Sequence, residues 1–356
     1  MRQTKDDEIL RILQGGPGST DALVSLATRQ LQAKKWQAYN ESQTEEKLWF
    51  LDLLADLTQQ IEWQPRGGKG RPQANLPEMV FSCVSKVYEG LSSRRATSDL
   101  ELAHRRGYLS KVPHFNTVLK FLNEPELTPV FTKLIEISAL PLKPFESTFA
   151  IDASGLSSAF YSRWLDYRFN DDRRFHDWIK VHLMCGVKTH IVTAVTVTDG
   201  HTHDSPQFPT LLGITKKRFN VDAVCADLGY SSRKNVQAAW DSGIAPLIPF
   251  KSSATGKSLG SKAWTKMYHW FKMNQEDFYK RYHARSNVES TFSALKRKFG
   301  TKLMTKKEVA QTNEALCKVL CHNLTVLTFE SHWNNFKIDF EKAQDESLHT
   351  KSDDCT

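Results

Sequence analysis

Residues 179–198, IKVHLMCGVKTHIVTAVTVT, set the architecture. From Ile179 to Val187, Lys180 and His182 alternate with Val181 and Leu183, the two-residue period of a strand with unlike faces. Val187-Lys188-Thr189-His190 reads as a turn. Ile191–Thr198 then returns as a second run, rich in the branched Val and Thr that suit a pleated surface. Upstream, Thr148–Ile151 is a short apolar run that Asp152 closes, so a strand is predicted there. Downstream, Asp204-Ser205-Pro206 opens a helix reaching Leu212, with Asp204 as its cap. Asp222–Ala226 forms a fourth strand ending in Asp227. Ser231 or Ser232 caps a helix that Gly243 stops after Ser242, and Ile244–Phe250 forms a fifth strand. A polar basic stretch runs to residue 280, and a long helix is predicted over 281–299.

Three strands, a helix, a strand, a helix, a strand and a helix make an α/β mixed sheet flanked by helices, the order expected of a ribonuclease H-like fold. We assign this domain to residues 146–335 and expect the acidic tail, 336–356, to be frayed and flexible.

The region before the sheet reads as all-α. Residues 1–62 are amphipathic, with Leu48, Phe50, Leu51, Leu54 and Leu57 at three- and four-residue steps, which suits core packing, DNA binding or self-association. Gly and Pro interrupt helix over 63–75. There Lys69-Gly70-Arg71-Pro72 resembles the narrow element that some architectural proteins lay in the minor groove, with Arg71 reaching DNA, although a flexible, solvated linker is the simpler reading. Residues 76–145 hold three short helices: one from Pro77 to Gly90, one opened by a Ser98/Glu101 capping box and closing near Gly107, and one started by Pro113. On the third, Phe115, Val118, Leu119 and Leu122 form an apolar stripe. His114, Asn116, Thr117 and Lys120 are left outward, with side chains able to meet bases or phosphates. A helix-turn-helix DNA-binding domain is one reading; a plain bundle with a basic face is the other.

Bulk composition narrows the partners. Lys and Arg number 48 against 40 Asp and Glu, a net charge of +8 and a pI near 9.0, which favours a polyanion such as DNA. The amino terminus lacks a signal pattern, and no apolar run approaches the ~18–20 residues that span a bilayer. A cytoplasmic protein with no membrane partner is expected. Cysteines 83, 185, 225, 317, 321 and 355 show no pairing framework. Cys317, Cys321 and His322 sit in an apolar helical stretch without a second ligand pair, and read as buried small side chains beside one satisfied histidine rather than zinc ligands.

Chemistry concentrates in RYHARSNVESTFSALKRKFG, residues 281–300. On a helix with Tyr282 at zero, Arg285, Glu289 and Lys296 fall at about 300°, 340° and 320°, one narrow stripe. Val288, Phe292, Leu295 and Phe299 occupy the neighbouring arc, roughly 220–280°. Packing that arc on the sheet would bring Glu289 to the rim where Asp152 and Asp227 end their strands next to glycine-bearing turns. A solvated salt bridge accounts for Arg285 and Glu289, but not for four such residues on one stripe.

The spacing Tyr282-x2-Arg285-x3-Glu289-x6-Lys296 resembles the YREK signature of bacterial insertion-sequence DDE transposases. Chance alone yields it in about one chain of this length in several hundred. Ala150-Ile151-Asp152-Ala153-Ser154-Gly155 is similar to the family's first acidic block, and Ala226-Asp227-Leu228-Gly229-Tyr230 to its second. The likeness covers residues 146–330; the stretch between Asp227 and Glu289 is short, so the large strand-rich insertion of some relatives is absent or reduced. The resemblance implies Asp152, Asp227 and Glu289 as catalytic ligands of two Mg²⁺ or Mn²⁺ ions, and hard carboxylate oxygens suit those ions. It implies Tyr282, Arg285 and Lys296 as DNA contacts, continued by Arg297 and Lys298. It further implies nicking of transposon ends, transfer of the freed 3′-hydroxyl to target DNA, a homodimer or larger synaptic complex, and a nucleoid-associated bacterial protein. A non-cleaving regulator and a nuclease without strand transfer are the alternatives. Lys180 and His182 are expected to face the same cleft, His182 with a structural role.

Overall fold

The computed structural model describes residues 35–65, 73–158 and 178–349. Arg71 and the Lys69–Pro72 element lie outside them, as do the first 34 residues. The chain divides into two compact units, Met1–Trp49 with Thr328–Lys337, and Phe50–Leu327 with Ile338–Thr356. In the first, rings stack in series: Trp36 on Tyr39 at 5.4 Å and Phe329 on Trp333 at 5.4 Å, with Tyr39 edge-on to Phe329 at 6.4 Å.

The second unit carries the sheet. Its strands are β1 Thr148–Ser157, β2 Trp178–Gly186, β3 Val192–Asp199, β4 Ala223–Ala226 and β5 Ala245–Leu247, in spatial order β3-β2-β1-β4-β5. β2 is antiparallel to both neighbours, while β4 and β5 run parallel to β1. A hairpin-led strand trio followed by two parallel crossovers is the ribonuclease H-like arrangement, as the element order predicts. β5 is shorter than expected: Pro249 lacks an amide hydrogen, and pairing with β4 ends at Leu247.

The helical region holds α1 Glu46–Gln59, α2 Leu76–Glu89, α3 Thr97–Arg105, α4 Phe115–Leu122 and α5 Leu127–Ala139. α2 begins where Asn75 accepts the Glu78 amide and ends at Gly90, whose φ of 63° only glycine adopts without strain. The Ser98/Glu101 capping box does not form. α3 starts two residues earlier in the chain, after Ala96, and the Ser98 hydroxyl donates back to the Arg95 carbonyl instead. His114 caps α4 by accepting the Asn116 amide. The α4 stripe is narrower than predicted: Val118 and Leu122 are buried, whereas Leu119 is 41% exposed.

On the far side of β3 the chain forms α6 Phe208–Lys216 and, after β4, α7 Arg233–Trp240. Beyond β5 come α8 Lys262–Met273, α9 Gln275–Tyr282, α10 Ser286–Phe299, α11 Glu308–Asn334 and α12 Phe340–His349. α11 ties two regions together through buried asparagines. Asn313 donates to the Leu122 and Glu124 carbonyls past the end of α4. Asn323 accepts the Val192 amide at 2.9 Å and donates to the Val192 carbonyl at 2.7 Å, closing part of the β3 edge. Part of the segment expected to fray, Phe340–His349, is helical as α12, where Asp339 accepts the Lys342 amide and Phe340 is buried; residues 350–356 lie outside the described residues. Five cysteines, Cys83, Cys185, Cys225, Cys317 and Cys321, are buried and free. His322 is satisfied by the His190 carbonyl at 3.0 Å, as its apolar surroundings predict.

Candidate active site

β1 and β4 align in parallel until Ile151 meets Ala226. There β4 stops, so Asp152 and Asp227 are next-door residues at the end of the shared ladder. Asp152 does not close β1 as the sequence suggests. β1 continues to Ser157 because β2 goes on pairing with it, Asp152 against Leu183 and Ser157 against Trp178. The Asp152 carboxylate therefore projects from a rigid strand at the point where one neighbour ends, the crevice expected at the carboxyl ends of parallel strands. Its Oδ1 accepts the Ala153 amide at 2.8 Å, and Asp227 Oδ1 accepts the Gly229 amide at 2.9 Å.

The predicted long helix is two helices. α9 ends at Tyr282, a 3₁₀ turn spans His283–Arg285, and α10 begins at Ser286. The uniform 100° wheel thus fails at Tyr282, since a 3₁₀ turn winds about 120° per residue. Within α10 the reading holds. Val288, Phe292, Leu295 and Phe299 are all buried, and α10 packs on β1 and β2. Cys185 of β2 meets Thr291 of α10 at 3.5 Å on that face.

This packing brings Asp152 and Glu289 to a common cation. Arg285 Nη1 lies 2.6 Å from Glu289 Oε1, and Nη2 lies 3.2 Å from Asp152 Oδ2. Lys296 Nζ donates to Ser154 Oγ at 2.7 Å, two residues beyond Asp152. Asp152 and Arg285 are about four-fifths covered, whereas Glu289 is 58% exposed. Burial raises the Asp152 pKa and outweighs the Ala153 amide and Arg285, which lower it; Asp227 and Glu289 add to the rise. At Arg285 the balance is reversed: burial opposes the charge, but Asp152, then Tyr282 and Glu289, hold its pKa above the ordinary value. Burial alone lowers the Lys296 pKa. Tyr282 is half-buried and stacks on Phe278 at 5.6 Å, and burial raises its pKa.

Among the described residues no three His, Cys, Asp or Glu side chains are gathered closely enough to hold a metal ion as they stand. The Arg285 guanidinium between Asp152 and Glu289 accounts for this spacing. It also marks the gap as one that stabilises positive charge. Asp152 and Glu289 flank this gap, and Asp227 follows the end of the same ladder as Asp152; hard carboxylate oxygens of this kind fit a divalent ion in chemistry.

Other predicted residues divide clearly. Arg297 is exposed and bonds Ser293; Lys298 is exposed, with its ammonium 6.0 Å from the Tyr88 ring centroid. His114, Asn116 and Lys120 are exposed and Thr117 half-buried on α4, and no hydrogen bond or ion pair among the described residues joins them to the acidic rim. Lys180 and His182 do not share the Asp152 cleft. Opposite Gly155 and Ala153 in register, they point to the other sheet face. There Asp204 stands at the N-cap position of a 3₁₀ turn, Ser205–Gln207, but its side chain makes no capping bond: it accepts Lys180 Nζ at 3.0 Å and lies 3.6 Å from His182 Nδ1. His182 is fully covered and bonds Thr198 at 2.8 Å, a structural position. Ser154, the partner of Lys296, was not singled out by sequence, although it lies within the first acidic block.

The model of the transposase DDE domain family matches residues 143–324, slightly more than half of the chain. No curated protein matches. Among solved structures, the chain is similar to a piggyBac transposase synaptic complex with hairpin DNA, at 10% identity and a TM-score of 0.37, over 88% of this chain and 79% of that one. The matched span runs from just before β1 into α11 and takes in Asp152, Asp227 and Glu289 together; the chain belongs to the transposase DDE domain family.

Proposed function

We propose that the chain binds the terminal inverted repeats of a DNA element, cuts a strand at each end and joins the freed 3′-hydroxyl to target DNA. The observation that carries this reading is the meeting of Asp152 and Asp227 at the end of one parallel ladder, with Glu289 joined to Asp152 through Arg285. Asp152, Asp227 and Glu289 would hold two Mg²⁺ or Mn²⁺ ions. Such ions, when bound, activate the attacking hydroxyl and neutralise charge on the phosphate and leaving oxygen.

The chain's own side chains orient the DNA. Arg285 offers a planar fork for a phosphate once it leaves the carboxylates, and Lys296 a point charge held by Ser154. Arg297 and Lys298 extend the cationic track, and Tyr282 supports it from the end of α9. Water attacks the phosphorus at the element's end, the 3′-oxygen leaves, and a 3′-hydroxyl and a 5′-phosphate result. That hydroxyl then attacks a target phosphodiester, forms a new 3′-O–P bond and releases the target's own 3′-hydroxyl. His114, Asn116, Thr117 and Lys120 would read the terminal repeat, and two copies of the chain would bring the two ends together.

The test is cleavage of a duplex carrying the element's terminal repeat, with Mg²⁺ or Mn²⁺. Asp152→Ala, Asp227→Ala and Glu289→Ala are each expected to abolish cutting while repeat binding persists. Cutting retained in any one of them refutes the assignment. Cutting without joining, when pre-cleaved ends are supplied, makes the protein a nuclease instead.

A further inference from the structure

Residues 242–275 contain five lysines and not one aspartate or glutamate, in a chain that carries 40 acidic residues among 356. The five, Lys251, Lys257, Lys262, Lys266 and Lys272, are all exposed. α8 sorts its residues sharply. Ala263, Trp264, Met267 and Phe271 are buried, at roughly 100–200° on a helical wheel with Lys262 at zero. Lys262, Lys266 and His269 lie opposite, within about 60° of one another. The apolar side is fixed by rings: Phe250 meets Trp264 at 4.7 Å and Phe271 at 5.4 Å, and Phe271 meets Phe278 at 4.8 Å. Phe278 stacks in turn on Tyr282, one turn from the Arg285 that bonds Asp152. Arg233, at the start of α7 and six residues past Asp227, donates to the Lys257 carbonyl and lies over the Trp264 ring at 4.8 Å. Acidic side chains return only at Glu276 and Asp277 in the first turn of α9, where Lys280 pairs with Glu276 at 2.9 Å.

The Lys266 and Lys272 ammoniums lie over the Trp240 and Tyr268 rings at 5.4 and 5.8 Å, and among the described residues none of the five lysines forms an ion pair, so this cluster of like charges favours a covering polyanion. We propose that the Lys251–Lys272 surface is a second DNA-binding face, on which the phosphate backbone of duplex DNA docks beside the segment held in the active site. Recognition there is electrostatic and independent of base sequence, because lysine ammoniums meet phosphates as point charges. This rests on the proposed DNA-cutting function.

The test measures binding of full-length protein to a duplex of unrelated sequence across a salt series. Each lysine that contacts a phosphate contributes about 0.9 to the slope of log K against log salt, and about eight-fold in affinity at 0.1 M salt. Lys262→Ala with Lys266→Ala is therefore expected to lower the slope by about 1.8, and Lys266→Glu to weaken binding further, with far-ultraviolet circular dichroism unchanged. A slope equal to wild type in both variants overturns the proposal. So does an unchanged slope together with an altered sedimentation coefficient, which gives this face to a second copy of the chain. The two readings fail separately. Wild-type protein with no salt-dependent duplex binding removes the DNA-cutting function itself; a steep wild-type slope that only Lys296→Ala reduces removes the α8 face alone.

Discussion

Arg285→Gln is expected to tighten binding of Mn²⁺ in the absence of DNA. The guanidinium makes two bonds that a metal ion at Asp152 and Glu289 must displace. The bond to Asp152 is mostly covered, and a charged hydrogen bond of that kind contributes about 1.5–3 kcal/mol. The bond to Glu289 is shorter, but that carboxylate is 58% exposed, so it adds only roughly 0.2–1 kcal/mol. Returning the guanidinium to water offsets part of the sum, leaving about 2 kcal/mol, or roughly thirty-fold in the dissociation constant. Glutamine keeps a polar side chain, two bonds shorter, and removes the charge. Titration of Mn²⁺ followed by electron paramagnetic resonance reads the free ion directly. An affinity equal to or weaker than wild type refutes the idea that Arg285 and the metal compete for one place. If competition holds, DNA that draws Arg285 to a phosphate tightens Mn²⁺ binding in the wild type, and Arg285→Gln loses that coupling.

Two predictions concern the scaffold. Asn323→Ala orphans the Val192 amide and carbonyl under α11, at a cost of about 2–4 kcal/mol, read as a lower guanidinium midpoint with unchanged slope; an unchanged midpoint shows that the edge is held otherwise. Burial depresses the His322 pKa from 6.5 to about 4, so the unfolded chain binds the extra proton between those values. Stability from this group is full above pH 6.5 and is lost as pH falls toward 4, by about 3 kcal/mol. His322→Gln keeps a donor for the His190 carbonyl and flattens that acid limb; an equally steep limb in the variant assigns the loss to other groups.

Periodicity made the sheet legible. The apolar arc of Val288, Phe292, Leu295 and Phe299 follows from which face is buried and holds in the structure. The alternation in 179–187 marks a strand, but β2 lies between β1 and β3 and is buried on both faces from Val181 onward, His182 included. What failed depended on partners distant in sequence. β1 passes Asp152 only because β2 pairs with Ser154, Gly155 and Leu156, residues with no alternation of their own. Asp204 looks like a cap beside Ser205-Pro206 until Lys180 reaches it from β2. The 3₁₀ turn at His283–Arg285 carries no glycine or proline to announce it. That turn nevertheless serves the site, since Arg285 at its end reaches both Asp152 and Glu289. The Arg285–Glu289 pair is already legible at its four-residue spacing, whereas the bond from Arg285 to Asp152 becomes visible only in the fold.

The most direct test is a crystal of the protein soaked in Mn²⁺ and measured at the manganese absorption edge. Anomalous density is expected bonded to carboxylate oxygens of Asp152 and Asp227 at about 2.0–2.2 Å, with Glu289 turned inward and Arg285 displaced. Manganese bound elsewhere, with Arg285 still joining Asp152 to Glu289, would contradict the metal assignment.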